Sequence, residues 1–420
     1  MTKKIAVLAY SGGLDSTISI DWIRKNYGYD VITLTVDLGG GQFSTDLEKR
    51  AKKAGAIDCV ILDVKKEFAN DFILPSLKAG VIYEDNYLLA TSIGRPLMAK
   101  KLVETAYKYK ASAVAHGCTG KGNDQVRFDT AIKTLSANNP LEIIAPAREA
   151  SLTRDEEKEY AEKLGITLPG VEERVYSIDR NLWGLAIEGE DLEDPWVEPP
   201  EDAYLITNSI NNTPENPTYI EISFKEGIPN KLNGKSLDFL EITEILNIIA
   251  GENGIGRVVH VENRLVGIKS REVYEAPAAT VIHESFQSLE KLVLNRDQSR
   301  MKNLVATTYS DLVYDGRWFS GLRENLDAYC KSSCRYMTGD VRLKLYKSKC
   351  EVVGAKSPYS LYSYDLATYS NDDKFKHGSA VGFIDIYSLP SRIQRKQQVH
   401  DELTEWIWKK IILKKLFLKS

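Results

Sequence analysis

Ile5-Ala6-Val7-Leu8-Ala9 runs without interruption into Tyr10-Ser11-Gly12-Gly13-Leu14-Asp15-Ser16-Thr17, and the fold turns on how these residues are read. The first five are a short apolar run closed by a turn signal, the pattern of a buried β-strand. From Ser16 to Tyr27 the pattern is helical. Between them, two glycines allow a tight turn and let backbone N–H groups approach an anion. The helix N-terminus adds partial positive charge, and Ser11, Ser16 and Thr17 add hydroxyl donors. Strand, loop and helix together read as a phosphate cradle. It is not a Walker A loop, because the G-x-x-x-x-G-K-[ST] spacing and its lysine are absent. The plainer reading of the same residues is a glycine turn that caps a helix; the strand before and the helix after weigh against it.

Outward from this point, short apolar runs alternate with amphipathic stretches. Val31–Val36, Cys59–Val64, Ala111–His116 and Leu141–Ala145 follow the first run, with helical patterns over Ser16–Tyr27, Ser44–Ala54 and Ser92–Tyr109. Buried strands alternating with helices predict an α/β domain with a parallel sheet covered on both faces. Such sheets bind ligands beyond the carboxyl ends of their strands, which singles out the loops after strands one, two and four. Thr153–Leu164 is a polar helix ended by Gly165, and Leu168-Pro169-Gly170 marks the end of this domain. Glu188–Asp202 carries eight acids, three prolines and no base, an extended solvated loop. Beyond it, strands at Tyr219–Phe224 and Val258–Val261 with a helix at Leu237–Ala250 predict a second, α+β domain. Gln398–Ser420 reads as one helix whose last turns are apolar nearly all round. Its lysines at 409, 410, 414, 415 and 419 spread over most of the circumference, which favours burial against a partner subunit over membrane contact.

The 420 residues are enough for two or three domains. With 43% hydrophobic and 27% charged residues and a net charge of -4, the composition is that of a soluble globular protein without global attraction to nucleic acid or anionic membrane. Five scattered cysteines fit a reduced compartment. Cys330 and Cys334 lack partners for a zinc site and read as two thiols on a helical turn. No stretch reaches the ~18 apolar residues of a membrane span, and the N-terminus reads as a strand rather than a signal peptide. The expected location is the cytoplasm.

The second chemical cluster follows strand four: His116-Gly117-Cys118-Thr119-Gly120-Lys121-Gly122-Asn123-Asp124-Gln125-Val126-Arg127-Phe128. An ordinary glycine-rich turn does not explain a lysine, an amide, a carboxylate and an arginine converging in one loop. SGGLDS after a first strand resembles the loop of the N-type ATP pyrophosphatases, which cleave ATP between the α- and β-phosphates. Within that superfamily, HGCTGKGNDQVRF resembles the long motif of argininosuccinate synthases. Tyr87–Pro96 (YLLATSIGRP), Tyr176–Gly184 (YSIDRNLWG) and Glu262–Ala278 (ENRLVGIKSREVYEAPA) are similar to three further family segments, in order along nearly the whole chain.

The resemblance implies a ligase that condenses citrulline with aspartate, using ATP and releasing AMP and pyrophosphate through a citrullyl-AMP intermediate, in arginine biosynthesis. It implies an adenine nucleotide α-hydrolase-like domain over residues 1–170, a synthetase and multimerisation domain over 171–390, and a C-terminal oligomerisation helix over 391–420 in a homotetramer. Ala9, Tyr10, Ser11, Gly12, Gly13, Leu14, Asp15, Ser16 and Thr17, with Val36 and Gly117, match the ATP site, and the triphosphate implies Mg²⁺ without a resident metal site. Tyr87, Ser92, Asn123, Arg127, Ser177, Glu262 and Tyr274 match the citrulline site; Thr119, Asn123 and Asp124 match the aspartate site. Two departures fall near the acceptor: Arg180 interrupts the family's DENLWG, and Ala186 stands where the family has a serine. No general base is evident, and His116 at a strand end reads as structural at least as readily as catalytic. Rival readings are a paralogous ligase with another ureido or carbonyl acceptor, a non-catalytic nucleotide-binding protein, and a tRNA-modifying enzyme. The net charge and the lack of paired reactive cysteines oppose the last.

Overall fold

In a computed structural model, residues 3–41, 46–150, 154–166 and 176–398, with Trp406 and Lys410, are described. The strands in chain order are β1 (Ile5–Ala9), β2 (Asp30–Asp37), β3 (Asp58–Asp63), β4 (Ala113–Ala115), β5 (Glu142–Ile144), β6 (Ser177–Asn181), β7 (Gly184–Glu188), β8 (Thr218–Lys225), β9 (Ile228–Leu232), β10 (Lys235–Ser236), β11 (Arg257–Asn263), β12 (Lys269–Glu275), β13 (Gly339–Tyr346) and β14 (Lys349–Lys356). The first five form a parallel sheet in the order β3-β2-β1-β4-β5. The expected α/β fold is therefore present, and β1 is its central strand.

Alternation along that strand explains why both faces are covered. Ala6 and Leu8 pack with Ile18, Ile20 and Ile23 of the Leu14–Tyr27 helix. Val7, with Ile32 and Leu34 of β2, packs against Leu102, Val103, Phe128 and Ile132 on the opposite side. The latter four lie on the helices Ala90–Lys108 and Asn123–Leu135. The strand order reverses at β1, where crossovers leave in both directions. The loops after β1 and β4 thus open side by side at the carboxyl edge, the usual ligand crevice of such sheets.

Two antiparallel sheets complete the unit formed by residues 1–361. One has the order β10-β9-β8-β13-β14, the other β11-β12-β7-β6. The second matters most for chemistry. Its register pairs Asp179 with Ala186, Ala186 with Tyr274, and Ser270 with Glu262. Side chains alternate between faces, so Ser177, Asp179, Ala186, Tyr274 and Glu262 share one face. Asn181 fastens this sheet to the parallel domain: its Nδ2 donates to the Ala90 carbonyl at 2.7 Å, while its Oδ1 accepts from Trp183 N–H. Glu275, one residue past Tyr274, faces the other way. It is fully buried and accepts from the N–H groups of Leu205, Ile206 and Thr207, so the adjacent residues of the Tyr-Glu pair have separate tasks.

Residues 362–420 form a second compact unit. Its helix Gly378–Gln398 begins well before the tail helix expected from the sequence, and it buries none of its side chains. Apart from Trp406 and Lys410, the segment from 399 onward lies outside the described residues. Cys330 and Cys334 are buried free thiols at the end of the Gly321–Ser333 helix, and burial pushes the Cys330 thiol up to about 12, which keeps it protonated and inert. The acidic segment is largely exposed, with short 3₁₀ turns at Glu190–Glu193 and Glu201–Ala203. Among the described residues no helix is long and apolar enough to cross a membrane.

Candidate active site

The loop after β1 is built from backbone. Gly12 has φ +78, and a Cβ there would lie 2.1 Å from Leu47 Cδ2, so both conformation and space call for glycine. Gly13 is the helix N-cap and receives no side-chain cap; the first N–H groups of a helix lack intrahelical partners. The hydroxyls are already ordered. Thr17 Oγ1 donates to the Gly13 carbonyl at 2.6 Å and Ser16 Oγ does so at 3.2 Å. Ser11 lies 3.1 Å from Ser16, and Tyr10 lies 3.3 Å from Thr17. Arg50 reaches the Gly12 carbonyl from the following helix at 2.7 Å. Short hydroxyl donors, a helix N-terminus and a cation beside them suit an oxyanion chain. Val36 is half-buried at the end of β2, and Ala9 at the end of β1.

After β4, His116 is buried and held at both nitrogens. Its Nδ1 accepts from Cys118 N–H at 3.3 Å, and its Nε2 donates to Asp129 at 2.8 Å. Asp129 also receives Arg148 at 3.1 Å. Both ring nitrogens are thereby engaged within the loop and its helix. Gly117 lines the start of this loop, and Thr119 is exposed within it.

The Asn123–Leu135 helix then presents Asp124 and Arg127 one turn apart. Asp124 is clasped by two guanidiniums, Arg95 Nε at 2.8 Å and Arg127 Nη1 at 3.0 Å. Against the penalty of burial, these two cations hold the Asp124 carboxyl down at about 2. Arg95 also pairs with Asp179. Withdrawal from water and the nearby Asp124 charge raise Asp179 despite that contact. Burial dominates at Cys118 as well and pushes its thiol well up.

Arg127 is 5% exposed. Its Nε donates to the Tyr314 carbonyl at 2.9 Å and its Nη1 to Asp124, but its buried Nη2 has no partner among the described residues. A buried guanidinium nitrogen left unpaired is costly, and a carboxylate is its natural acceptor. Nearby, Glu262 accepts from Tyr274 Oη and from Tyr314 Oη, each at 2.7 Å. Asn123 Nδ2 donates to Tyr314 Oη at 2.7 Å. Tyr87 stacks on Tyr274 with centroids 4.1 Å apart, and its hydroxyl lies 3.3 Å from Ser92 Oγ. Burial pushes Tyr87 up to about 12, so it remains a neutral donor. Leu89, fully buried with φ +58, sets the turn that places Tyr87 beside the start of the Ala90–Lys108 helix. A bulky residue in that conformation is strained and is kept only where packing fixes it.

Six residues expected from the sequence, Tyr87, Ser92, Asn123, Arg127, Glu262 and Tyr274, thus meet in one buried network. Ser177 shares the sheet face with them but stands exposed at the start of β6. Arg180 points away. It pairs with Leu185, on the face opposite Asp179 and Ala186, and its side chain lies along Gly41. It cannot stand in for a hydroxyl at Ala186. Arg95 and Tyr314 were not singled out. Arg95 is one turn beyond Ser92 on the same helix, a spacing that shares a face. Tyr314 has no sequence signal: it reads as a core tyrosine of an amphipathic helix.

Residues 5–167 match the family model for the arginosuccinate synthase N-terminal HUP domain, and residues 176–394 match that for the arginosuccinate synthase C-terminal domain. The chain belongs to the argininosuccinate synthase family. It is 49% identical to the argininosuccinate synthase of Dehalococcoides mccartyi strain 195 over 95% of this chain and 97% of that one. It is 50% identical to that of Pelotomaculum thermopropionicum over 92% of this chain and 96% of that one. A solved NAD+ synthetase from Burkholderia pseudomallei aligns over 40% of this chain and 61% of its own, at 18% identity and a TM-score of 0.27, too low to add to the fold assignment. Family membership accounts for two clusters with different chemistry: an anion cradle made of backbone and hydroxyls, and a pocket made of ionic and aromatic side chains.

Proposed function

We propose that this chain condenses L-citrulline with L-aspartate at the expense of ATP, giving argininosuccinate, AMP and pyrophosphate. The unpartnered Arg127 Nη2, in the network that joins Asn123, Glu262, Tyr87 and Tyr274, carries this reading. A guanidinium and a carboxylate in one buried pocket are complementary to the two charged groups of an α-amino acid.

The chemistry follows from the leaving-group problem. A ureido carbon is resonance-stabilised, and its oxygen leaves poorly. Transfer of the adenylyl group to that oxygen, with pyrophosphate departing, makes AMP the leaving group; the amine of aspartate then displaces it. In this reading Ala9–Thr17, Val36 and Gly117 hold ATP, with the N-terminus of the Leu14–Tyr27 helix directed at the leaving phosphates. Arg127 and Glu262 hold the charged end of citrulline, with Tyr87, Ser92, Asn123, Ser177 and Tyr274 around it. Thr119, Asn123 and Asp124 hold aspartate. Asp124 already has two guanidinium partners, and its role is to present a fixed negative charge to the incoming ammonium. Mg²⁺ would arrive with the triphosphate, since it keeps several waters and binds through substrate phosphates; the exposed hydroxyl of Ser11 fits such a complex. Orientation and charge stabilisation supply the catalysis.

The wider reading keeps a nucleotide-binding domain over 1–170, a synthetase domain over 171–390 and an oligomerisation element after 391, in a cytoplasmic homotetramer. The helix Gly378–Gln398 supports self-association: Phe383, Ile384, Ile386 and Tyr387 are all solvent-exposed, an apolar surface that favours covering by a partner. The test of function is product analysis. AMP and pyrophosphate should form in quantity only when citrulline and aspartate are both present, and ¹⁸O from the ureido group should appear in AMP. ADP and orthophosphate would overturn the mechanism. Failure to form argininosuccinate from saturating substrates would overturn the choice of acceptor.

A further inference from the structure

The pocket that holds Arg127 is closed by a helix end far away in sequence. The Arg296–Tyr314 helix starts on a capping box in which the Asn295 side chain accepts from Gln298 N–H and the Gln298 side chain accepts from Asn295 N–H, and it stops on Gly316 with φ +75. A Cβ on Gly316 would lie 2.6 Å from Arg127 Cα. Glycine there lets the helix terminus reach the Arg127 backbone. The last carbonyls of a helix lack intrahelical donors and carry partial negative charge; one of them, Tyr314 O, accepts Arg127 Nε at 2.9 Å. The same residue presents its ring to the guanidinium, with Cζ 4.8 Å from the centroid. Its other ring face is covered by Tyr83, stacked at 3.6 Å and 6°. Its hydroxyl donates to Glu262 Oε1 and accepts from Asn123 Nδ2, both at 2.7 Å.

We propose that Tyr314 is a positioning residue for the acceptor amino acid: through its carbonyl, ring and hydroxyl it fixes Arg127, Glu262 and Asn123 relative to one another. This rests on the reading of the pocket given above. Glu262 then has one oxygen on Tyr314 and the other on Tyr274, each with a lone pair left for an ammonium, and Arg127 Nη2 is left for a carboxylate. Each recognition group is thereby restricted to a single rotamer before the substrate arrives, which lowers the ordering cost of binding.

The test is Tyr314→Phe, which keeps the ring stacked and removes only the hydroxyl. Glu262 Oε1 and Asn123 Nδ2 lose their shared partner. The KM for citrulline should rise roughly tenfold or more, with kcat and the KM for ATP within about twofold. Tyr309→Phe is the control. Tyr309 is a fully buried tyrosine on the same helix whose hydroxyl donates to Asp327 at 2.6 Å; its loss should lower Tm and leave every KM unchanged. An unchanged citrulline KM in Tyr314→Phe, with an active wild type, would overturn the proposal and leave the function standing. Equal increases in the citrulline and ATP KM values would also overturn it, because they would mean general loosening. An inactive wild type would instead sink the function itself.

Discussion

The two halves of the site are built in opposite ways. The cradle at residues 10–17 is continuous in sequence; its hydroxyls bond within the loop, and its outside hydrogen bonds reach Arg50 and, at Tyr10, Leu34 and Thr35 of β2. The pocket around Arg127, where we place the acceptor, draws Tyr87, Asn123, Arg127, Glu262, Tyr274 and Tyr314 from well-separated segments. In the proposed reading a group as repetitive as a phosphate chain is met by hydroxyls and a helix N-terminus, which a single strand–turn–helix supplies. An α-amino acid has two opposite charges at a fixed separation. A cation and an anion must therefore be held apart at that separation, and side chains adjacent in sequence would pair with each other instead.

If the halves are separate, damage to one should spare the other. The largest separation is expected at Arg127. Arg127→Lys replaces a fork by a point charge and should weaken citrulline by about 2 kcal/mol while ATP affinity holds. Equilibrium binding of each ligand to the purified variant decides it, and equal losses would make Arg127 a structural residue. The converse is Gly12→Ala. The left-handed backbone alone costs about 1–2 kcal/mol, and the new Cβ meets Leu47, so ATP should weaken by roughly tenfold with citrulline unaffected. A parallel loss of citrulline would show the halves to be coupled.

Acid sharpens the comparison further. The folded Asp124 carboxyl sits at about 2, below its value in the unfolded chain. Its contribution to stability is therefore fully present above about pH 4 and fades as pH falls toward 2. Tm should drop through that window in the wild type and drop less steeply in Asp124→Asn. Identical slopes would place the acid sensitivity elsewhere. The smallest effect is expected at Ala186, which is buried between Asp179 and Tyr274. Ala186→Ser should tighten citrulline by no more than about 1 kcal/mol or leave it unchanged, as read from its KM. A second substitution at Arg180 should add nothing, because that side chain lies on the other face.

The sequence by itself determined the parallel sheet and pointed to the glycine loop and to most of the residues that meet around Arg127. Runs such as Ile5–Ala9 and Val31–Val36 announce buried strands, because burial on both faces leaves no room for polar alternation. Gly12 announces its turn because only glycine meets both its φ and its space. The cluster from His116 to Phe128 is dense enough to declare chemistry. Only the tertiary structure decided how those groups are used. That both His116 ring nitrogens are engaged, by Cys118 and Asp129, is visible only in the structure. Arg180 was exonerated by strand register, since a shift of one residue would have reversed its face. Tyr314 had no local signal at all. A tyrosine on an amphipathic helix looks like core until the chain brings its hydroxyl to Glu262 and its carbonyl to Arg127, because hydrogen-bond partners distant in sequence leave no periodicity behind.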